Sequence, residues 1–212
     1  MMNLDRNTTA VLALHWINDI VSEGGAFGGR FAGEVARTGT AGHARRVLTA
    51  ARQTGVPVFY TRIVYQPGYP GLIVNAPLFE GIRPAGAFLA GGGGVEILPE
   101  LAPEEGDTVL DTGRVSAFTG TGLHEVLRGQ GIETVVLTGV STHITVQSSA
   151  LAAVDLGYRV VIASDATSAD SAATHEHALR ALAVLCDVAT SSEIVDALLD
   201  SPAGTAHEVR TP

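Results

Sequence analysis

The chain has 212 residues and a formal charge of −9, and its thirteen basic residues are all arginine. The length fits one α/β domain that buries about 70% of its unfolded surface; the charge argues against nucleic acid and anionic membranes as partners, and the missing lysine excludes any amine base, Schiff base or ammonium clamp. Hydrophobic residues make up 46% of the chain and charged ones 17%, more apolar than a small solvated monomer needs, so a homo-oligomer is expected.

The N-terminal MMNLDRNTTA has no basic region followed by an apolar core. No apolar run reaches the ~18 residues of a membrane span, so the expectation is a cytoplasmic protein. Thr9 to Trp16 reads as a buried strand. The Gly-rich stretch Gly24 to Gly39 reads as a long mobile connection of the kind that forms lids or subunit contacts. An amphipathic helix pattern from Ala41 to Thr54 stops at Gly55 and leads into a second strand, Pro57 to Val64. Gln66 to Gly94 is a second long connection; its terminal GGGG lacks the GK[ST] ending of a phosphate loop and reads as a flexible hinge.

Asp107 to Asp111 is a third strand, followed by a helix from Leu123 to Arg128 with Gly131 as its C-cap. Thr134 to Val140 is the fourth strand, and a helix pattern from Thr142 to Leu156 stops at Gly157. Tyr158 to Ala163 is the fifth; the short Asp187 to Thr190 is the sixth, between helices His175 to Leu185 and Ser192 to Leu199. Cys186, the only cysteine, lies in the apolar LAVLCDVAT and reads as a small buried hydrophobe. A lone thiol also excludes an intrachain disulfide and a multi-thiolate metal site.

Apolar strands alternating with helices imply a doubly wound, mostly parallel six-stranded sheet flanked by helices. The expectation is a Rossmann-like three-layer sandwich in one domain over residues 1–212. Such folds bind ligands beyond the carboxyl ends of their strands. The strand-end residues His15, Arg62, Thr112, Ser141 and Asp165 are therefore the first places to look.

The segment Ser116 to Thr167 carries a resemblance. Ser116-Ala117-Phe118 with Gly120-Thr121 and Leu123, the Gly139-Val140-x-Thr142 turn, and Ala150-x-x-Ala153 before Gly157-Tyr158 together resemble the isochorismatase-like cysteine hydrolases. The strand near Thr9 and the run Tyr60 to Tyr65 extend the likeness over most of the chain. The resemblance implies a catalytic Asp closing the first strand, a Lys after the third and a Cys opening the helix after the fourth. It also implies backbone N–H groups beside a cis peptide as the oxyanion site. Here those three positions fall on His15, Thr112 and Thr145, so none of the triad is present.

What chemistry remains centres on His15, which can act as acid or base near neutrality or be a hydrogen-bonded wall residue, with Asp19 as a candidate orienting group. Thr145 offers a hydroxyl that is a poor nucleophile without a base; it serves the site or merely caps its helix. His143 is either its base or an exposed side chain. Arg62 and Arg114 are candidate clamps for a substrate carboxylate, with ion pairing to Asp111 or Asp165 the alternative for Arg62. Trp16, Tyr65, Phe118 and Ser141 are candidate pocket walls, packing being the alternative for the aromatics. His175 and His177 lie on different helix faces and do not chelate one ion; neither metal nor cofactor is expected. Two functions fit. One is a triad-less enzyme acting on a small molecule, carboxylated if an arginine binds it, by non-covalent acid–base chemistry of the hydrolase, lyase or cyclase type. The other is a non-catalytic binding or scaffolding subunit.

Overall fold

The computed structural model describes residues 2–201. Six strands form one sheet: β1 Thr9–Leu14, β2 Val58–Ile63, β3 Thr108–Thr112, β4 Thr134–Val140, β5 Arg159–Ser168 and β6 Asp187–Ala189. Their order is β3-β2-β1-β4-β5-β6 and every pairing is parallel, so the expected mostly parallel sheet is parallel throughout. β1 and β4 are buried along their whole length, as a parallel sheet covered on both faces requires.

Among the described residues there are eight α-helices: α1 Asn18–Val21, α2 Gly28–Thr38, α3 Thr40–Gln53, α4 Pro77–Glu80, α5 Leu123–Gly129, α6 Gln147–Asp155, α7 Ala172–Leu182 and α8 Ser191–Asp200. One face of the sheet packs against Val35, Leu48 and Ile194 of α2, α3 and α8. The other packs against Leu127, Ala150 and Leu182 of α5, α6 and α7. None of the described helices is long and apolar enough to cross a membrane.

Two expectations change. The Gly24 to Gly39 stretch is mostly the helix α2, whose buried Phe31, Ala32 and Val35 hold it on the core despite its glycines. The GGGG run is a packed turn: Asn18 donates to the Gly93 carbonyl at 2.9 Å, and a Cβ at Gly94 would collide with the Asp19 carboxylate. Close approach, not hinge freedom, is what demands glycine there.

Candidate active site

The strand order reverses between β1 and β4, and the crevice at that point is where a doubly wound fold places its ligand. Gly139 sits beside Leu14 in the register of these strands. Its φ is +143°, and a Cβ on it would collide with the Leu14 carbonyl. The glycine thus lets the ends of β1 and β4 approach. His15 then leaves β1 in the left-handed region, φ +55°, while its N–H still donates to Thr61 at 2.9 Å. A non-glycine residue held there is uncommon, and such outliers gather at functional sites.

After β4 comes a cis peptide between Val140 and Ser141. A π-helical turn, Thr142–Val146, follows before α6 begins; Val146 donates to the Ser141 carbonyl at 3.0 Å. The expected single helix from Thr142 is therefore two pieces. Single π turns of this sort re-aim side chains and are frequent at functional sites.

That turn brings Thr145 to His15. Thr145 Oγ1 lies 3.2 Å from His15 Nδ1, both side chains being buried. Burial pushes the His15 pKa down to about 3, so the ring is neutral at any physiological pH. Its Nε2 is buried and has no hydrogen-bond partner. Thr112 is hydrogen-bonded to neither of this pair. Its hydroxyl donates to Thr119 O at 3.0 Å and accepts from the Arg114 N–H at 3.0 Å, so its proton is held within its own loop.

Thr145 and Ser141 form part of the wall of a cleft of about 40 Å³. Its other lining is apolar: Phe27 and Phe31 from the α2 region, Phe79 and Phe88 from the connection after β2, with aliphatics between them. Phe27 and Phe88 stack with ring centroids 5.3 Å apart.

The remaining candidates lie elsewhere. Arg62 is bound by Asp111, Nε to Oδ1 at 2.8 Å, and does not line the cleft. Arg114 stands outside it, donating to Ile73 O and Asn75 Oδ1 with its guanidinium 4.1 Å from the Phe79 ring centre. Trp16 is wholly buried and donates to Thr138 Oγ1 at 3.2 Å. Tyr65 donates its hydroxyl to Gly113 O at 2.5 Å. Phe118 stacks on Tyr158 within the opposite core cluster, 6.0 Å between centroids. His143 flanks the cleft through Phe31, ring to ring 6.5 Å; burial lowers its pKa, with Asp170 opposing and Arg30 adding to the effect. Asp19 does not orient His15: its carboxylate accepts from the N–H groups of Phe88 and Ala26 at 2.6 and 3.2 Å. Asp165 ties β5 to α8 through Ser191. Among the described residues no three His, Cys, Asp or Glu side chains cluster as metal ligands.

The aromatic lining is what sequence reasoning missed. A signal was available: four of the six phenylalanines, Phe27, Phe31, Phe79 and Phe88, fall in the two segments read as mobile connections. Large apolar side chains concentrated in supposed loops point to a wall rather than a linker.

The family model described as Isochorismatase domain matches residues 9–193. The uncharacterized isochorismatase family protein YecD of Escherichia coli is 31% identical over 210 residues, 93% of this chain and 100% of its own. The ureidoacrylate amidohydrolase RutB of Variovorax paradoxus is 35% identical over 141 residues, 61% of this chain and 56% of that protein. Among solved structures, N-carbamoylsarcosine amidase from Thermoplasma acidophilum superposes with a TM-score of 0.70 at 30% identity, covering 87% of this chain and 96% of the other.

Proposed function

Since this chain belongs to the isochorismatase family, we propose that it hydrolyses a small molecule without a thiol, using the Thr145–His15 contact beside the apolar cleft. The observation that carries this is the 3.2 Å contact between a hydroxyl on the cleft wall and a neutral imidazole behind it. Relatives include a ureidoacrylate amidohydrolase, which favours a carbonyl compound as substrate. In this reading Thr145 donates its hydroxyl proton to Nδ1, the tautomer carrying its hydrogen on Nε2. A water molecule adds to the substrate carbonyl carbon and gives a proton to Thr145 Oγ1 as the threonine proton moves to His15. The carbon–heteroatom bond then breaks, and the proton returns along the same path to the leaving group. No cofactor takes part.

Such a relay is slow. Holding the imidazole pKa near 3 instead of 6.5 disfavours the imidazolium by about 5 kcal/mol. The same observation favours a second reading, a non-catalytic protein that binds a small molecule in the cleft. Hydrolysis of short-chain amides and esters by the purified protein separates the two. Under the hydrolase reading, Cys186→Ala retains turnover, whereas Thr145→Val lowers it by about 100-fold, the scale of general acid–base assistance. Ligand binding without turnover establishes the second reading instead.

Self-association belongs to the same proposal. Val184 is 81% and Leu185 55% exposed beside the edge strand β6, an apolar edge that a second copy of the chain would cover. Light scattering during gel filtration at micromolar concentration is expected to give at least a dimer mass; a monomer would remove this part of the proposal.

A further inference from the structure

We infer that the cleft selects a compact, uncharged carbonyl compound and rejects the carboxylate of the same shape, an inference that rests on the cleft being the ligand site proposed above. Eleven of the thirteen lining residues are apolar, and the other two, Ser141 and Thr145, offer only neutral hydroxyls. A carboxylate entering there sheds its hydration and meets no compensating charge, whereas a neutral amide or ester needs only hydrogen bonds.

The surrounding charges point the same way. Arg30 is committed to Asp170 at 3.0 Å and Arg62 to Asp111 at 2.8 Å. Arg114 is held outside the cleft by Ile73 O and Asn75 Oδ1, with Phe79 beneath it. A negative charge stands beside the Phe27–Phe88 stack: Asp19, gripped by the Phe88 and Ala26 N–H groups. An anionic ligand meets Asp19 beside one wall, and the cations stacked on Phe31 and Phe79, Arg30 and Arg114, line no part of the cleft and are held by Asp170 and by Ile73 O and Asn75 Oδ1. The lining holds about 40 Å³, against roughly 150 Å³ for an apolar cavity that admits benzene, so the acyl part has only a few carbons.

This selectivity has a consequence for turnover. Hydrolysis of a primary amide consumes one water and yields a carboxylate and ammonium. The carboxylate is the species the cleft rejects, so the product leaves and does not inhibit.

The test compares isobutyramide with sodium isobutyrate, nearly identical in shape, by ligand-observed NMR at pH 7.5 and matched ionic strength. The amide is expected to bind at least about 10-fold more tightly, a difference of about 1.4 kcal/mol. Leu78→Arg, which adds a cation at a half-buried wall position, is expected to narrow or reverse the preference. Equal or tighter isobutyrate binding by the unaltered protein overturns the inference, and its loss in Arg114→Gln would assign the carboxylate to that arginine. Failure of both compounds to bind also overturns it. The same spectra report conversion of amide to acid. Amide preference without conversion therefore sinks hydrolysis alone, and conversion with tight isobutyrate binding sinks the selectivity alone.

Discussion

His15 carries the most consequence of any single side chain, and its burial makes it a stability determinant as well as a site residue. The folded protein keeps it neutral down to about pH 3, while the unfolded chain protonates it near 6.5. Between those values the unfolded state binds more protons, so the stability contributed by the neutral ring is complete above pH 6.5 and falls as the pH drops towards 3. By pH 5 His15 alone accounts for a loss of about 2 kcal/mol. The pKa values of His143 and His175 are also lowered by burial, which acts in the same direction. Urea unfolding at pH 7 and pH 5 should show this loss, and His15→Asn should flatten the difference; an unchanged pH response in the variant contradicts the assignment. The resemblance places its Asp position on His15 and its Cys position on Thr145 by counting from the flanking Leu14 and Gly139-Val140. That the two side chains touch was not legible, because the contact depends on the left-handed turn at His15 and the π turn at Thr142–Val146. Neither has a residue signature.

The elements explain why the cleft was hidden while the sheet was plain. The run Thr134 to Val140 matches the observed strand at both ends, since a strand buried on both faces is apolar throughout except for threonines, themselves good strand formers. The segments after β1 and β2 carry their apolar residues at irregular spacing among glycines, and only tertiary contact fixes them. Phe88 shows the mechanism: its N–H is held by Asp19 and its carbonyl by the Tyr65 N–H, 2.7 Å away. A second long-range tie joins the end of α3 to β2 and to the turn before β3. Arg52 donates to Asp107 at 2.7 Å, to the Tyr60 hydroxyl at 2.8 Å and to Glu104 at 2.6 Å, and the Asp107 side chain is only 4% exposed. Removing the cation leaves the Asp107 carboxylate with the Glu104 N–H but no charge opposite it, and the Tyr60 hydroxyl with its bond to Leu101 O alone. Arg52→Met is expected to cost about 3 kcal/mol in denaturant unfolding; a change below about 0.5 kcal/mol would show the network to be surface decoration.

At the scale of the whole molecule, the topology does what no single residue does: it sets the ends of β1 and β4 side by side and opens the crevice between them. The alternation of strand and helix patterns made that architecture legible, and with it the importance of strand ends. Arg62 and Thr112 were reasonable on the same logic, yet β2 and β3 lie progressively farther from the crossover, where an ion pair and a loop hydrogen bond absorb them. In the proposed hydrolysis His15 and Thr145 act as one unit, and a double-mutant cycle in kcat/KM tests this most directly. Thr145→Val and His15→Asn should each lower kcat/KM by about 100-fold, and the double variant should be no worse than the poorer single one. Losses that multiply, or a variant that keeps full activity while folded, would contradict it.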